Sequence, residues 1–375
     1  MPDSMELRRL ADMDTRPHAT LSLYLALDQP RDARLLSLGR MCKLKEQQMA
    51  DHGSAEAWKS LAPDLDKVER FVEELPTGPH RGLALFSCSS RDFFEAFTLP
   101  VSVPDLLEVG TSPYLRPLSA LAGDHCRALI VLLDRRKARF FEGFLGMVQE
   151  LPDLETQNDA QPQERDGDQG RAGDSRLSRR ADEALGHYYK EVVQRLREEF
   201  SARKCQQLVV GGSRVRVESF LPSLHPYLAQ NLAGTITCDI NAGVSQVAEE
   251  VAKAQALASR QRQERVLANL ADNLGPGGQA ATGLNQVLAA LHDGQVHTLL
   301  MRRGFTQEGW SCPACGRLRA EAGDCPLCGA VMTRADDVVN LALARALDSG
   351  AALEQVEGAS ALDHMGCVAA LLRYA

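Results

Sequence analysis

The sequence predicts an α/β protein of three domains, and three observations carry that prediction. Short β-rich apolar runs alternate with stretches of helical period, polar or glycine-rich segments interrupt that pattern twice, and paired Cys-x-x-Cys motifs are set into the last third. At roughly 100–200 residues per domain, 375 residues hold two or three such units. With 44% hydrophobic and 25% charged residues the composition is that of a folding chain, which excludes a collagen, a coiled rod or a wholly disordered tail. Lys+Arg number 42 against 50 Asp+Glu, a formal charge of −8, so no global positive field draws the protein to nucleic acid and any such contact needs local patches. No run of about 18 apolar residues occurs and the start, MPDSMELRRLADMDTRP, lacks an apolar signal core, so a cytoplasmic protein without membrane contact is expected.

In chain order, the mixed α/β N-terminal domain runs to residue 124. Leu21 to Leu27 (LSLYLAL) reads as a strand, and Asp32 to Glu74 is helical in period with a break near Asp51-His52-Gly53. Gly82 to Ser87 and Arg91 to Leu99 read as strands of one meander, and a helix near Pro113 to Leu121 closes the domain. The middle domain, 125–272, opens with two apolar strands, Arg127 to Asp134 and Ala138 to Leu145, joined by the basic turn Arg135-Arg136-Lys137 as a buried hairpin. Leu151 to Asp174 is poor in apolar residues and aperiodic, so a long mobile loop is expected there. Leu177, Ala181, Leu185, Tyr188, Val192, Leu196 and Phe200 then recur at helical spacing, with Asp174 or Ser175 as N-cap. Gln206 to Gly212 and Leu232 to Ile240 read as strands and Val244 to Leu270 as a helix, which implies a partly parallel, face-covered sheet.

Asn273 to Gly283 carries four glycines and a proline and reads as a flexible linker that breaks both helix and strand. Beyond it, LNQVLAALHDG (helix), VHTLLM (strand), the cysteine insert, VVNLALARALDSG (helix) and CVAALLRY (strand) make a C-terminal α/β sandwich, 273–375. Within the insert, 311–330, Cys312, Cys315, Cys325 and Cys328 form two Cys-x-x-Cys-Gly knuckles. Such turns aim two thiolates each at one ion, so a zinc ribbon is expected, and four sulfur ligands leave no open position, which makes Zn2+ structural. Unmetallated redox pairs and an iron–sulfur centre are the competing readings. Cys42, Cys88, Cys126, Cys205, Cys238 and Cys367 read as buried small hydrophobes. His187, His225, His297 and His364 have no partners at metal spacing.

Three stretches together resemble the eukaryotic and archaeal class-1 peptide chain release factor family, in its bacterial and archaeal branch, a group that also includes Pelota and the hibernation factor Balon. They are GLNQVLAALHDGQVHTLLM followed by the two-knuckle insert, the ending LDHMGCVAALLRY, and RALIVLLDRRKARFF with a loop leading into SRLSRRADEALGHYYKEV. The resemblance implies an RNase H-like middle domain with a long loop, and a ribosomal A-site ligand meeting rRNA and peptidyl-tRNA, with a translational GTPase as a further partner. Release factors of this family carry Gly-Gly-Gln on the middle-domain loop, where two glycines free the backbone and the glutamine orients water on the peptidyl-tRNA ester. Here that stretch reads Gly167-Asp168-Gln169-Gly170, so Gln169 is the first candidate catalytic residue. A literal Gly277-Gly278-Gln279 lies in the linker, which makes Gln279 the second. No Asn-Ile-Lys-Ser occurs in residues 1–124, so stop-codon decoding is not expected.

Phosphate contact would fall to Arg135, Arg136, Lys137 and Arg139, and to Arg171, Arg176, Arg179 and Arg180 at the start of a helix. Residues 163–204 hold ten Lys+Arg and nine Asp+Glu, so a solvated helix of mixed charge is the competing reading. The expected function is a non-decoding release-factor-like protein in ribosome rescue or hibernation. A peptidyl-tRNA hydrolase of stalled ribosomes and a protein-interaction module that no longer binds ribosomes are the alternatives.

Overall fold

A computed structural model describes the chain except residues 1–3, 14, 52, 77, 79, 125, 136, 145, 156–171, 276, 359 and 375, and except the side chains of 4, 122–124, 154–155 and 172–182. In chain order the elements are α1 (Ser4–Ala11), β1 (Thr20–Ala26), α2 (Arg31–Asp51), α3 (Ala55–Ser60), α4 (Ala62–Glu74), β2 (Gly82–Cys88), β3 (Phe93–Leu99), β4 (Leu106–Gly110), α5 (Arg116–Asp124), β5 (Ala128–Leu133), β6 (Lys137–Phe144) and β7 (Met147–Glu155). They continue as α6 (Ala172–Ala202), β8 (Gln207–Gly212), α7 (Arg214–Phe220), α8 (Pro226–Gln230), β9 (Leu232–Thr237), α9 (Val244–Asp272), β10 (Ala280–Thr282), α10 (Leu284–His292), β11 (Val296–Arg302), β12 (Gly309–Ser311), β13 (Leu318–Arg319), β14 (Thr333–Ala335), α11 (Val338–Asp348), β15 (Ala352–Val356) and β16 (Val368–Leu372). Two compact units result, Met1–Gly123 with Gln263–Ala375, and Asp124–Arg262.

In the first unit β1 is central to an antiparallel sheet ordered β3-β2-β1-β4. Its run LSLYLAL is apolar apart from Ser22 and the Tyr24 hydroxyl because both faces are covered. Leu21, Leu23 and Leu25 pack with Leu38, Trp58, Val68 and Val72 of α2–α4. Tyr24 packs on the opposite side with Phe86, Leu118, Leu288, Val339 and Leu343. That second cluster also takes Leu299, Met301, Val368 and Ala370 from a sheet ordered β10-β16-β11-β15, in which only β11 and β15 run parallel. Each fully buried side chain of this size contributes roughly 1.5–3 kcal/mol. The first and last segments of sequence therefore bury their apolar surface against one another.

Polar contacts then fix the register of that packing. Asp337 caps α11, its Oδ1 accepting from the Val339 and Asn340 N–H groups at 3.0 and 3.4 Å, while its Oδ2 accepts from Arg116 Nη1 at 2.7 Å and from the Tyr114 hydroxyl at 3.1 Å. Asn340, 4% exposed, accepts from Leu115 N at 2.9 Å and donates to Pro113 O at 3.2 Å. Burial raises the Tyr114 hydroxyl far above its usual pKa, and Asp337 adds to the rise, so the phenol stays a donor.

In the second unit the sheet order is β7-β6-β5-β8-β9, with β5, β8 and β9 parallel and the other pairs antiparallel. One face carries Leu129, Val131 and Leu133 against Tyr188, Val192, Leu196 and Phe200 of α6. The other carries Ile130, Leu132 and Val209 against Val247 and Val251 of α9. At the end of β8 a Cβ on Gly212, whose φ is +141°, would stand 2.4 Å from Leu133 O, so only glycine fits.

Several expectations are corrected. The hairpin is a three-stranded meander, because Leu151–Glu155, expected in a loop, pairs with β6 as part of β7. The remainder of that loop, 156–171, lies outside the described residues. Helix α6 already runs at Ala172, so Asp174 and Ser175 stand inside its first turn rather than at the cap. In the linker, Ala280–Thr282 is a strand, since extended backbone there satisfies the edge of β16.

Replacing Asp337 by alanine strands the Arg116 guanidinium, 6% exposed, and should cost about 3–5 kcal/mol in chemical denaturation. Adding Arg116→Met to that variant should recover part of the loss. Gly212→Ala should destabilise the second unit by roughly 2 kcal/mol or more, read by hydrogen exchange in β5 and β8.

Candidate metal centre and basic surfaces

Two short turns build the centre from the same backbone pattern used twice. In the first, Gly316 N donates to Cys312 O at 2.9 Å and Cys312 N to Arg317 O at 2.8 Å. In the second, Gly329 N donates to Cys325 O and Cys325 N to Ala330 O, both at 2.8 Å. Gly316 and Gly329 have φ of +73° and +72°, the left-handed conformation that closes such a turn and that β-substituted residues resist. β12, β13 and β14 form a small antiparallel sheet, order β13-β12-β14, that carries both turns.

The four sulfurs converge. Cys312 and Cys328 Sγ are 3.4 Å apart, Cys315 and Cys325 3.5 Å, Cys315 and Cys328 3.7 Å, and all four lie within 4.8 Å of one another. A tetrahedral ion with metal–sulfur bonds of about 2.3 Å needs sulfur separations of about 3.8 Å, so the donor set fits one such ion. The Cys315 N–H, 3.5 Å from Cys312 Sγ, lowers that thiol's pKa to about 6 and favours the thiolate a metal requires. Four sulfurs would saturate such an ion, so it would stiffen the loop and leave no open position for substrate. Trp310, Ala330 and Met332 pack with the cysteines in a small cluster of their own.

The other cysteines divide. Cys88, Cys205 and Cys238 are buried as expected, whereas Cys42, within α2, and Cys126 and Cys367, just before β5 and β16, are only half-buried. Burial pushes the Cys42 and Cys205 thiols up to about 11, which leaves them inert near neutrality. His187 is exposed, His225 Nδ1 caps α8 by accepting from Tyr227 N at 3.2 Å, and His297 Nδ1 lies 2.8 Å from Thr298 Oγ1.

The basic candidates fare unequally. Arg135 is exposed on the β5–β6 turn. Lys137 pairs with Asp153 at 2.8 Å. Arg139 is taken up structurally, donating to Glu150 Oε1 at 2.6 Å and to the carbonyls of Ile240 and Ala242 at 2.6 and 2.8 Å while lying over the Phe141 ring. Arg136, Gln169 and Arg171 lie outside the described residues, as do the side chains of Arg176, Arg179 and Arg180, whose backbone is in α6. Gln279 is exposed, and its carbonyl accepts from Leu372 N at 2.9 Å, which holds the Gly277-Gly278-Gln279 turn on β16.

Sequence reasoning missed Arg16 and Arg345, which stand beside the first knuckle. Arg16 Nη1 donates to Cys312 O at 3.4 Å, and a Cβ at Gly316 would be 2.7 Å from Arg345 Nη2. One signal was present, a lone cation within the apolar helix VVNLALARALD.

Comparison with known proteins places residues 113–256 in a match to the family model of bacterial archaeo-eukaryotic release factor family 10. No curated protein matches the sequence. Among solved structures, the archaeal translation termination factor aRF1 is 18% identical with a TM-score of 0.26, over 100% of this chain and 99% of that one. Archaeoglobus fulgidus Pelota is 14% identical, TM-score 0.34, over 78% and 79% of the two chains. S. cerevisiae Dom34, a translation termination-like factor, is 11% identical, TM-score 0.42, over 75% and 73%.

Removing the metal with a chelator should unfold the ribbon while the larger sheets persist. The expected readouts are one equivalent of metal per chain released, a red shift of Trp310 fluorescence in a Trp58→Phe background, and loss of exchange protection confined to 309–335. Cys312→Ser should reproduce all three.

Proposed function

Starting from a chain that is a relative of the archaeo-eukaryotic release factors through residues 113–256, we propose that it is a ribosomal A-site ligand acting in rescue or hibernation without decoding a stop codon. The observation that carries this reading is the family match itself, which spans α5 through β9 and the first half of α9. Residues 1–124, 125–272 and 273–375 then act as N-terminal, middle and C-terminal domains, and zinc is the structural ion at Cys312, Cys315, Cys325 and Cys328. Arg135, Arg136, Lys137, Arg171, Arg176, Arg179 and Arg180 supply the phosphate contacts that an overall charge of −8 makes necessary. A translational GTPase is the candidate carrier, and the cytoplasm is the compartment where such a ligand works. Among the described residues no helix is long and apolar enough to cross a membrane.

Stop-codon reading is left out because residues 1–124 contain no Asn-Ile-Lys-Ser, and hydrolysis is left out because the loop stretch reads Gly167-Asp168-Gln169. The hydrolase reading retains one specific support, a glutamine in the stretch of sequence between β7 and α6.

Purified protein should pellet with 70S ribosomes at low salt, and log affinity should fall linearly with log salt concentration. Arg135→Glu should weaken pelleting about tenfold at fixed salt. Peptide release from a stalled complex should be the same for the wild type, Gln169→Ala and Gln279→Ala. Release abolished in Gln169→Ala alone would establish the hydrolase instead, and protein that never pellets would leave the interaction module.

A further inference from the structure

Within the first unit a pocket of about 200 Å3 opens beside the first cysteine knuckle, lined by Arg16, Ser112, Gly316 and Arg345, with Asp12 and Asp348 among the other lining residues. Its chemistry is unbalanced in one respect. Arg345 is half-buried on α11, lies over the Gly316 backbone, and makes no side-chain hydrogen bond or salt bridge among the described residues. Arg16 reaches the same place and faces it with a second positive charge. Ser112 lines the pocket as well, and its Oγ is buried without a partner.

A half-buried guanidinium without an acceptor from the protein, a like charge beside it and an unanswered buried hydroxyl are all features that a single oxyanion would satisfy. Asp348 and the Cys315 sulfur both attract Arg345, Asp348 from beyond salt-bridge distance, but neither supplies it with a hydrogen-bond acceptor. Asp12 and Asp348 are both exposed to water, which screens them more than it screens a half-buried cation. Size narrows the ligand further, since pockets for whole organic ligands run from roughly 300 Å3 upward. This one has room for a tetrahedral anion with a few waters.

We propose that the pocket is an oxyanion site for one phosphate group, held by Arg345 and Arg16 with the Ser112 hydroxyl as a further donor, and delivered either as free phosphate or as a backbone phosphate of RNA. It lies outside the metal's ligand set and needs no ribosome to be tested, so its failure is distinct from failure of the ribosomal reading.

The test uses full-length, metal-loaded protein and calorimetric titration with sodium phosphate, against sodium chloride at equal ionic strength, and with a single-stranded RNA 10-mer. Saturable one-to-one phosphate binding is expected, weakened at least about tenfold by Arg345→Met and severalfold by Ser112→Ala, with metal content unchanged. RNA whose affinity falls equally in Arg345→Met, and which phosphate displaces, identifies the backbone source. RNA affinity untouched by the substitution identifies free phosphate. Should Arg345→Met fail to fold, Arg345→Lys and Arg16→Met carry the same comparison. The proposal is overturned if phosphate gives no saturable heat beyond chloride, or if the variants bind it as the wild type does. It is equally overturned if they lose their metal while phosphate never saturates, which would make the arginines counter-charges to the thiolates.

Discussion

Asp337 stands where several demands of the first unit meet. The segment Pro113 to Leu115 runs as irregular backbone through an apolar interior, and each of its buried polar groups needs a partner. Ser22 Oγ accepts from Tyr114 N, the Tyr24 hydroxyl donates to Tyr114 O, and Asn340 serves Pro113 O and Leu115 N. Asp337 places Asn340 by capping α11, and its second oxygen holds Arg116 and the Tyr114 hydroxyl. An apolar cluster alone would let α11 slide on the sheet, because hydrophobic contact has no direction. The half-buried carboxylate supplies the direction.

The same node bears on the ribbon, since β14 leaves the knuckles at Ala335 and α11 begins at Val338. One end of the metal insert is thereby tied to the capped helix. Gly309 at the other end packs so closely that a Cβ there would stand 2.5 Å from Val338 Cβ. Both exits of the insert converge on the N-terminus of α11, so an ion held by the four cysteines would order only its own loop while the surrounding sandwich sets where that loop projects.

Charge in the second unit is spent largely on structure. Glu142 accepts from both Arg127 and Arg203, and Arg139 ties β6 to the carbonyls that precede α9. A basic residue in a strand sequence is therefore weak evidence for a phosphate contact, because a guanidinium with five donors is also the most economical tie between a strand and a loop. Arg135, exposed on its turn, is of a different kind from Arg139 four residues on.

Local pattern determined much of this protein. Strands β1, β2, β3, β5, β6, β8, β9, β11 and β16 and helices α2, α6, α9, α10 and α11 follow from apolar period, and the four-sulfur centre follows from spacing and two glycines, because those signals are written within a few residues. Tertiary structure alone decided the rest. β4, β7, β10 and β15 are short or polar segments that become strands only because a neighbouring edge offers hydrogen bonds, as β16 does to Ala280–Thr282. The shared cluster of Tyr24 with Leu343, the Asp337 node, and the meeting of Arg16 with Arg345 join residues hundreds of positions apart. No periodicity encodes such pairings, since they depend on the path of the whole chain and on which buried polar groups are left needing a partner.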